Sequence, residues 1–392
     1  MIRRLLRYFV ILTAVMLLTT AAVLALDRPG EPPAVPVAGP PPAAAPPPVI
    51  EITPADGGRN VRPERGITVR VSGGTLTEVT VKGVKGRFNA ARTEWTSDRA
   101  LAPARSFTVA AAATGAGGTA ATATSRFRTL KPARTIEVED VTPERGEKVG
   151  VGMPIIVTFN RDVADKAAVE RAMVVESGKR SEGAWRWPDD RTAVYRTRTY
   201  WKAHQEVTFE ARLTGVRAGR NVYGVKGHRT TFEIGAARIS TVDVDEHTMV
   251  VRRDGEKVRT IPISAGNGAT REYTTTSGVH LTMAKTDPEV MISPGRAPGQ
   301  AGYYETVVND AVRISDSGEF VHSAPWSVGS QGRANVSHGC VNVSPRHAAW
   351  FYERTRRGDV VRITGTDRRL EWDNGWGFWQ MSWKQWRKGS RA

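Results

Sequence analysis

The side chains best suited to chemistry lie in two short segments near the C-terminal end of this 392-residue chain. Cys340, the only cysteine, follows His338 by two residues and His322 by eighteen. A thiol needs a base to become a thiolate at neutral pH, and histidine commonly supplies one. The arrangement is compatible with a nucleophilic cysteine and, taken alone, equally compatible with a structural one.

A disulfide framework is excluded, because a single cysteine cannot form an intramolecular bridge. No metal or other cofactor is expected, since the remaining histidines lack a ligand spacing such as His-x-x-x-His with a nearby acid. We interpret these histidines as ordinary core or surface residues: His204, His228, His247, His280 and His347.

The region around the cysteine is predicted to consist mostly of short strands. Alternating apolar and polar residues favour strands over 239–244, 248–252, 258–264, 277–284, 305–315 and 319–323. Residues 346–356 are the only strong helix candidate here. We therefore expect a mainly β catalytic domain over 238–365.

A C-terminal extension, 366–392, carries five of the eleven tryptophans. Their spacings of 4, 3, 4 and 3 residues predict one helical stripe that packs back onto its own domain, with ligand or membrane contact as the alternative. These tryptophans are Trp372, Trp376, Trp379, Trp383 and Trp386.

Two similar stretches precede the catalytic region. Each opens with Thr-Pro, at 53–54 and 142–143, and each carries Trp-x-x-Asp-Arg, at 95–99 and 187–191. Short alternating runs separated by Gly, Pro and Asp predict two immunoglobulin-like β-sandwiches, 49–130 and 131–237. Trp95 and Trp187 are expected in their cores.

The two predicted sandwiches contain no catalytic set of residues. Their expected roles are those of spacers or wall-binding units. On that interpretation, the fragment 238–392 should retain the chemistry without them.

The N-terminal segment, 1–27, predicts export. Three arginines are followed by 19 uncharged, mostly apolar residues, Tyr8 to Leu26, enough for about 28 Å of helix, the thickness of a hydrocarbon layer. The arginines place the N-terminus in the cytoplasm and the rest of the chain outside. An uncleaved anchor is favoured over a signal peptide cut near Ala25. Residues 28–48 contain ten prolines and predict an extended linker.

The net charge of +16 favours polyanionic surroundings. Nucleic acid is not expected as a partner, because the chain has no zinc-finger spacing, P-loop or helix-turn-helix pattern. Outside the membrane, the candidates are anionic lipids and anionic wall polymers. The alternative is that the charge is spread over solvated surfaces.

The full pattern around the cysteine is more specific than the Cys-His pair. After His322, fourteen residues precede Ser337-His338-Gly339-Cys340-Val341-Asn342. This pattern resembles the signature of the L,D-transpeptidases, the family with a YkuD-type catalytic domain. The surrounding HSAPWSVGSQGRANVSHGCVNVSP is similar to mycobacterial and actinobacterial members. The resemblance is strong over 238–392 and rests on architecture alone over 49–236.

The resemblance implies a role for each site residue. Cys340 would be the nucleophile, His322 the general base, and the Ser323 carbonyl the group that orients the imidazole. Backbone N–H groups of His338, Gly339 and Cys340 would hold the oxyanion. The residues expected to bind substrate or line the lid and entrance are Tyr304, Met291, Trp326, Ser337, His338 and Asn342.

The family resemblance also implies a reaction. The thiolate would attack a peptidoglycan tetrapeptide stem at its third residue, release D-alanine, and pass the acyl group to an amine, giving a 3→3 cross-link. Stem peptides would be the substrate, and carbapenems would be covalent inhibitors. The protein is expected on the outer face of the cytoplasmic membrane, anchored there, or secreted to the wall.

Three alternative functions are weighed against the transpeptidase hypothesis. An L,D-carboxypeptidase would use the same residues with water as the acceptor. A non-catalytic wall-binding scaffold would need a lost catalytic residue, yet His322, Gly339 and Cys340 are all present. A sortase is disfavoured, because its Thr-Leu-x-Thr-Cys signature is absent.

Overall fold

The computed structural model describes residues 46–293 and 295–392. Strands dominate its secondary structure, which confirms the predicted mainly β class. The expected anchor, 1–27, and most of the linker, 28–48, lie outside the described residues. No helix within the described part is both long and apolar enough to cross a membrane.

The first sandwich is built from seven strands in two sheets, ordered β1-β2-β5-β4 and β3-β6-β7. Its inward-facing residues include Val69, Leu76 and Phe127. Trp95 is buried among them, as predicted. The strands are β1 (Val49–Thr53), β2 (Thr68–Ser72), β3 (Gly74–Val81), β4 (Gly86–Phe88), β5 (Glu94–Ser97), β6 (Ser106–Gly115) and β7 (Ala120–Arg128).

The second sandwich has eleven strands and one short helix. Its sheets are ordered β10-β18-β15-β12, β13-β14-β11-β9 and β16-β17-β8. Trp187 lies in the core, again as predicted. The elements are β8 (Arg134–Ile136), β9 (Val138–Thr142), β10 (Lys148–Val149), β11 (Ile155–Phe159), α1 (Lys166–Arg171), β12 (Met173–Ser177), β13 (Gly183–Arg186), β14 (Thr192–Thr197), β15 (Gln205–Ala211), β16 (Arg217–Gly219), β17 (Val222–Gly224) and β18 (His228–Ile234).

The C-terminal domain contains the cysteine. A five-stranded sheet, β21-β20-β19-β29-β22, a four-stranded sheet, β23-β26-β27-β28, and a β24-β25 hairpin form it. The elements are β19 (Arg238–Asp243), β20 (Thr248–Arg253), β21 (Glu256–Pro262), β22 (Gly278–Leu281), β23 (Ala284–Thr286), β24 (Glu289–Ile292), β25 (Glu305–Val308), β26 (Ala311–Arg313), β27 (Phe320–Ser323), β28 (Val341–Val343), α2 (Pro345–Arg354), β29 (Val360–Thr364) and α3 (Trp383–Arg387).

The core of this domain joins its two larger sheets. Val242 and Ile261 of one sheet pack with Val321 and Val341 of the other, and Phe351 of α2 covers them. Helix α2 matches the predicted helix closely. It starts with Pro345, a residue suited to the first helical position because no partner is needed there for its missing N–H.

The tryptophan-rich tail differs from the prediction of one helical stripe. Gly375 has φ +65°, a left-handed conformation that interrupts a right-handed helix. The tail instead forms a 3₁₀ turn, Gly377–Gln380, before α3. Trp386 is fully buried, and its indole N–H donates to the Ala184 carbonyl of β13 at 2.9 Å. The tail therefore packs largely on the second sandwich and not only on its own domain.

Candidate active site

The two chemical segments meet because β27 and β28 are neighbouring parallel strands. His322 of β27 is paired with Asn342 of β28, and Cys340 directly precedes β28. His322 is only 3% exposed, whereas Cys340 is half-buried. Both line one cavity of about 150 Å³. Parallel pairing thus brings the candidate base and nucleophile to the same site.

The His322 imidazole has a defined tautomer. Its Nδ1 lies 2.9 Å from the Ser323 carbonyl oxygen, and because a carbonyl can only accept, Nδ1 must carry the proton. Nε2 is then left as the acceptor. Burial lowers the pKa of His322 below its ordinary value, partly offset by hydrogen bonds with Ser323 and Asn342. The ring is therefore neutral at pH 7 and able to take a proton.

The Cys340 thiol is held in its protonated form. Sγ lies 3.7 Å from the Gly318 carbonyl oxygen. Burial raises the pKa of the thiol to about 12, and the negative charge of Glu319 adds to this rise. A backbone hydrogen bond with Phe320 and the positive charge of Arg313 lower the pKa, but by less. Spontaneous ionisation is therefore rare near pH 7, so the thiol needs a base to become nucleophilic.

A buried carboxylate, Glu319, directly precedes β27, the strand of His322, and sequence reasoning missed it. Both oxygens of Glu319 accept hydrogen bonds from Thr276, one from the backbone N–H and one from the hydroxyl, each at 2.7 Å. His280 Nε2 lies 2.9 Å from the Thr276 carbonyl. The one available signal was a glutamate directly before the apolar residues of β27. His280, interpreted as ordinary, is a fully buried member of this network.

The turn that presents Cys340 is held by two hydroxyl groups. Ser337 Oγ donates to the Cys340 carbonyl at 2.6 Å and accepts from the Gly339 N–H at 3.1 Å. Thr275 Oγ1 donates to the Gly339 carbonyl at 2.7 Å. Gly339 has φ +129°, a conformation that favours glycine.

This turn changes one expectation for the oxyanion hole. The Gly339 N–H was expected to hold the oxyanion, but it is directed to Ser337 Oγ. The N–H groups of His338 and Cys340 are the remaining candidates from that set. Ser337 correspondingly has a structural task in the turn as well as lining the cavity.

His338 is an exposed residue whose ring stacks on Tyr304 and lies tilted against Tyr273. Its centroid lies 4.8 Å from that of Tyr304, with the planes 15° apart, and 4.4 Å from that of Tyr273. The Tyr273 segment is restrained by Arg296 and Glu272, which form a bidentate pair with two contacts of 2.6 Å. Sequence reasoning did not identify Tyr273.

The hairpin β24–β25 forms one wall of the cavity. Met291 lies on β24, Tyr304 immediately precedes β25, and both line the cavity. Trp326 is 59% exposed at the other side, with its ring centroid 6.1 Å from that of His322. Further lining residues that the sequence did not reveal are Thr306, Val308 and Val336.

Asn342 connects the site to the loop after His322. Its Nδ2 donates to Ser327 Oγ at 3.2 Å, and its backbone exchanges hydrogen bonds of 2.9 and 3.0 Å with Ser264. The structure thus brings together eight of the ten predicted site residues as cavity lining, while Ser323 and Gly339 contribute backbone contacts.

Metal ligation finds no support in the described ranges. No group of three or more His, Cys, Asp or Glu side chains in residues 46–293 and 295–392 is arranged to hold a metal ion.

Comparison with known proteins gives the same assignment as the fold and the site. A model of the bacterial Ig domain matches residues 58–217, and a model of the L,D-transpeptidase catalytic domain matches residues 237–363. L,D-transpeptidase 2 of Mycobacterium tuberculosis is 36% identical over 343 residues, covering 86% of this chain and 83% of that protein. L,D-transpeptidase 5 of the same species is 33% identical over 344 residues, covering 85% and 75%.

A solved structure agrees with these sequence matches. An L,D-transpeptidase in complex with imipenem is similar with a TM-score of 0.51 and 35% identity, covering 60% of this chain and all of that one. The chain therefore belongs to the L,D-transpeptidase family, with immunoglobulin-like structure preceding the catalytic domain. The family resemblance drawn from the cysteine motif is confirmed.

Proposed function

We propose that this protein is a cysteine acyltransferase that forms 3→3 cross-links in peptidoglycan. A tetrapeptide stem is the donor, and D-alanine is released. The observation that carries the proposal is the cavity shared by Cys340 and a buried His322 whose Nδ1 faces the Ser323 carbonyl. Family membership supports peptidoglycan as the substrate.

The first half-reaction transfers the acyl group to the enzyme. His322 Nε2 takes the Cys340 proton, and the thiolate sulfur attacks the carbonyl carbon between the third and fourth stem residues. A tetrahedral oxyanion forms near the His338 and Cys340 N–H groups. The C–N bond then breaks, and the departing D-alanine amine takes the proton from His322. A thioester on Cys340 remains.

The second half-reaction forms the cross-link. The side-chain amine of another third residue attacks the thioester carbon and loses a proton to His322. The C–S bond breaks, and the sulfur recovers the proton. One amide has replaced another, so the reaction needs no oxidant, reductant or external energy source.

Protonation of the Cys340 thiol in the free enzyme has two chemical consequences. The raised pKa of Cys340 limits the thiolate at pH 7, so proton transfer to His322 accompanies attack instead of preceding it. A cysteine outside the cytoplasmic membrane is exposed to oxidants that act on thiolates. Protonation and partial burial of Cys340 reduce that reactivity between turnovers.

The lining explains how a stem peptide would be positioned. The stacked rings of Tyr304 and His338 form one side of the cavity, and the exposed Trp326 forms the other. The apolar chain of the third stem residue can lie between them while polar groups remain near Asn342. The protein then acts in the cell envelope, held near the membrane by residues 1–27.

The direct test uses the full chain with a disaccharide-tetrapeptide and mass spectrometry of the products. Cross-linked dimer with free D-alanine supports the proposal. Trimmed monomers without dimer would instead establish an L,D-carboxypeptidase, and an unchanged substrate would establish a non-catalytic scaffold. Cys340→Ala should give no product.

A carbapenem provides a second readout of the nucleophile. The intact mass of the protein should rise by one drug mass at a 1:1 ratio, and Cys340→Ala should show no adduct. His322→Ala should slow acylation by about 10²–10⁴-fold. The matched control is His347→Ala, which alters a histidine of α2 outside the cavity and should acylate at the normal rate.

A further inference from the structure

A basic groove lies where the first sandwich, the second sandwich and the C-terminal tail meet. It consists of two adjoining cavities, of about 540 and 230 Å³, which share Arg217 and Arg220 in their linings. Lys166 and Arg391 complete the cationic lining of the larger cavity, and Arg62 that of the smaller. The cavities together carry five cationic side chains and a single lining carboxylate, Asp165.

The charge of this groove is largely uncompensated. Lys166 pairs with Asp190, but no salt bridge joins Arg62, Arg217, Arg220 or Arg391 to a carboxylate in the described part of the chain. Asp165 caps α1 by accepting from the Ala168 N–H at 3.1 Å. Its single carboxylate faces four guanidinium groups, so the groove keeps an excess of positive charge.

Two further carboxylates lie near the groove and already accept hydrogen bonds. Glu64 accepts one from the hydroxyl of Tyr223, a lining residue of the smaller cavity, at 3.3 Å. Glu170 accepts from the Trp187 indole N–H at 3.0 Å and from the Arg391 backbone N–H at 2.8 Å. The bonds of Glu170 hold the end of the chain against the second sandwich, which places the Arg391 side chain at the groove.

The backbone under the groove is ordered. Arg217 lies on β16, and Arg220 lies in the turn to β17, whose Val222 and Tyr223 are buried. The Asp165 N–H donates to the Ala218 carbonyl at 2.8 Å, which joins this hairpin to the start of α1. The arginines therefore project from a scaffold that is already formed, and binding an anion would cost little backbone entropy.

A larger cavity has a different balance of charge. It measures about 680 Å³ and also lies between the two sandwiches. Its lining carries two carboxylates, Asp98 and Glu210, against four cationic side chains, Lys85, Arg99, Arg212 and Arg229. Arg212 is paired with Glu210 at 2.7 Å. Its charges are therefore more fully compensated within the chain than those of the basic groove.

We infer that the basic groove binds a linear anionic polymer through phosphodiester or carboxylate oxygens. Guanidinium groups bind both kinds of oxyanion with paired N–H donors, and a groove of two connected cavities suits a chain better than one isolated ion. The net charge of +16 would assist capture from a distance. Such a site would hold the enzyme on an anionic polymer while the Cys340 cavity, formed by other residues, stays free for substrate.

Binding of two defined polymers by the full chain tests this inference. The probes are polyphosphate, for phosphodiester-like oxyanions, and polygalacturonate, for carboxylates, with neutral dextran as the blank. Fluorescence anisotropy is measured in about 0.1 M salt, where charges farther apart than about 10 Å are screened. Arg217→Gln/Arg220→Gln should weaken binding of at least one polyanion by about tenfold or more. Its carbapenem acylation rate should stay normal.

The matched control removes two exposed charges elsewhere on the same sandwich. Arg180→Gln/Lys202→Gln lowers the net charge by the same amount, but neither residue lines the groove. This control variant changes only the overall charge, so its affinity for the polyanions should fall by less than about threefold. Equal losses in both double variants, or no binding of either polymer by the native chain, would overturn the inference.

Phosphatidylglycerol vesicles provide a further binding experiment, with phosphatidylcholine vesicles as the blank. If only the anionic vesicles bind, and the groove variant alone loses them, the groove serves a lipid surface and the polymer assignment is wrong.

Discussion

The second sandwich contacts its two neighbours in very different ways. The contact with the C-terminal domain is apolar. The core of the second sandwich extends to Leu281 and Val360 of that domain, and the half-buried Trp376 and Trp379 of the tail pack against the same core. Towards the first sandwich, the hydrophobic cores of the described residues are separate clusters. The contact there includes the Tyr223–Glu64 hydrogen bond and the cavities described above.

Hydrogen bonds reinforce the same difference. The Gly150 and Gly152 N–H groups donate to the carbonyls of Arg357 and Gly358 at 2.8 and 2.9 Å, and the Trp379 indole donates to the Gly152 carbonyl at 2.8 Å. These bonds lie in a region shielded from water, where leaving such groups unpaired is costly. We therefore expect the second sandwich to fold together with the C-terminal domain, and the first sandwich to be dispensable for that folding.

Arg196 shows how the tail takes part in this joint. The side chain is buried, donates to the Met381 carbonyl at 2.8 Å, and lies over the Trp379 and Trp386 rings at 4.8 Å from each centroid. Desolvation lowers the pKa of Arg196 to about 10, so the guanidinium stays charged at neutral pH. A buried cation enclosed by tail tryptophans ties residues 372–387 to β14.

The largest expected effect comes from removing one sandwich or both. A chain of residues 131–392 should unfold cooperatively and be acylated at nearly the rate of the full chain. The fragment 238–392 should fail to fold, because the apolar surface that the second sandwich covers would face water. Circular dichroism melting and intact-mass acylation measure both properties. A folded, reactive 238–392 fragment would restore the spacer role first expected for both sandwiches.

Removing the most buried tail tryptophan should also be severe. Trp386→Ala should lower the free energy of unfolding by about 3–5 kcal/mol, the usual cost of truncating a buried aromatic side chain. Trp326→Ala, at an exposed position, should change it by about 0.5 kcal/mol or less. Urea unfolding of the two variants gives the comparison. Similar midpoints would mean that the tail is not part of the folding unit.

Two glycines probe the two contacts of the second sandwich. A Cβ on Gly150 would lie 2.2 Å from the Asp359 backbone nitrogen, and one on Gly215 would lie 2.2 Å from the Leu101 carbonyl oxygen. Each Gly→Ala change should therefore cost about 1–3 kcal/mol of stability. Backbone strain adds to the cost at Gly215, because its φ is +79°. Only Gly150→Ala should also slow acylation, because it displaces the start of β29. If both variants are slowed equally, the first sandwich helps to shape the site.

The smallest effect is a pH dependence at the apolar joint. Burial raises the pKa of Asp359 to about 7, despite the charges of Arg238, Arg356 and Lys285 and a hydrogen bond from the Arg356 N–H. A carboxyl whose pKa is higher in the folded state stabilises the fold at low pH. That contribution is lost as the pH rises towards 7, at roughly 2 kcal/mol between pH 5 and pH 7.

Urea unfolding at pH 5 and pH 7 tests this dependence. The native chain should lose stability over that interval, and Asp359→Asn should lose distinctly less. Asp245→Asn, at an exposed position, is the control and should behave like the native chain. An Asp359→Asn variant with the native pH dependence would show that this carboxyl is already ionised at pH 5.

Much of the fold could be predicted because its signals are local. The period-two alternation in Ile155–Phe159 identifies a strand wherever that strand pairs, since successive side chains point to opposite faces. The repeated Thr-Pro and Trp-x-x-Asp-Arg marks indicated two related units, whose tryptophans are both buried. The motif from Ser337 to Asn342 likewise predicts the candidate nucleophile, Cys340, and the site residues beside it, because a catalytic turn is formed by consecutive residues.

What only the tertiary structure decided involves segments far apart in the chain. Pairing of β27 with β28 places His322 beside the cysteine turn, and the Ser337 hydroxyl takes the Gly339 N–H away from the expected oxyanion hole. The tail tryptophans were visible in the sequence, but their partner, the second sandwich, was not. A hydrophobic pattern specifies which face must be buried and leaves open what buries it, because many apolar surfaces satisfy that requirement until the whole chain packs.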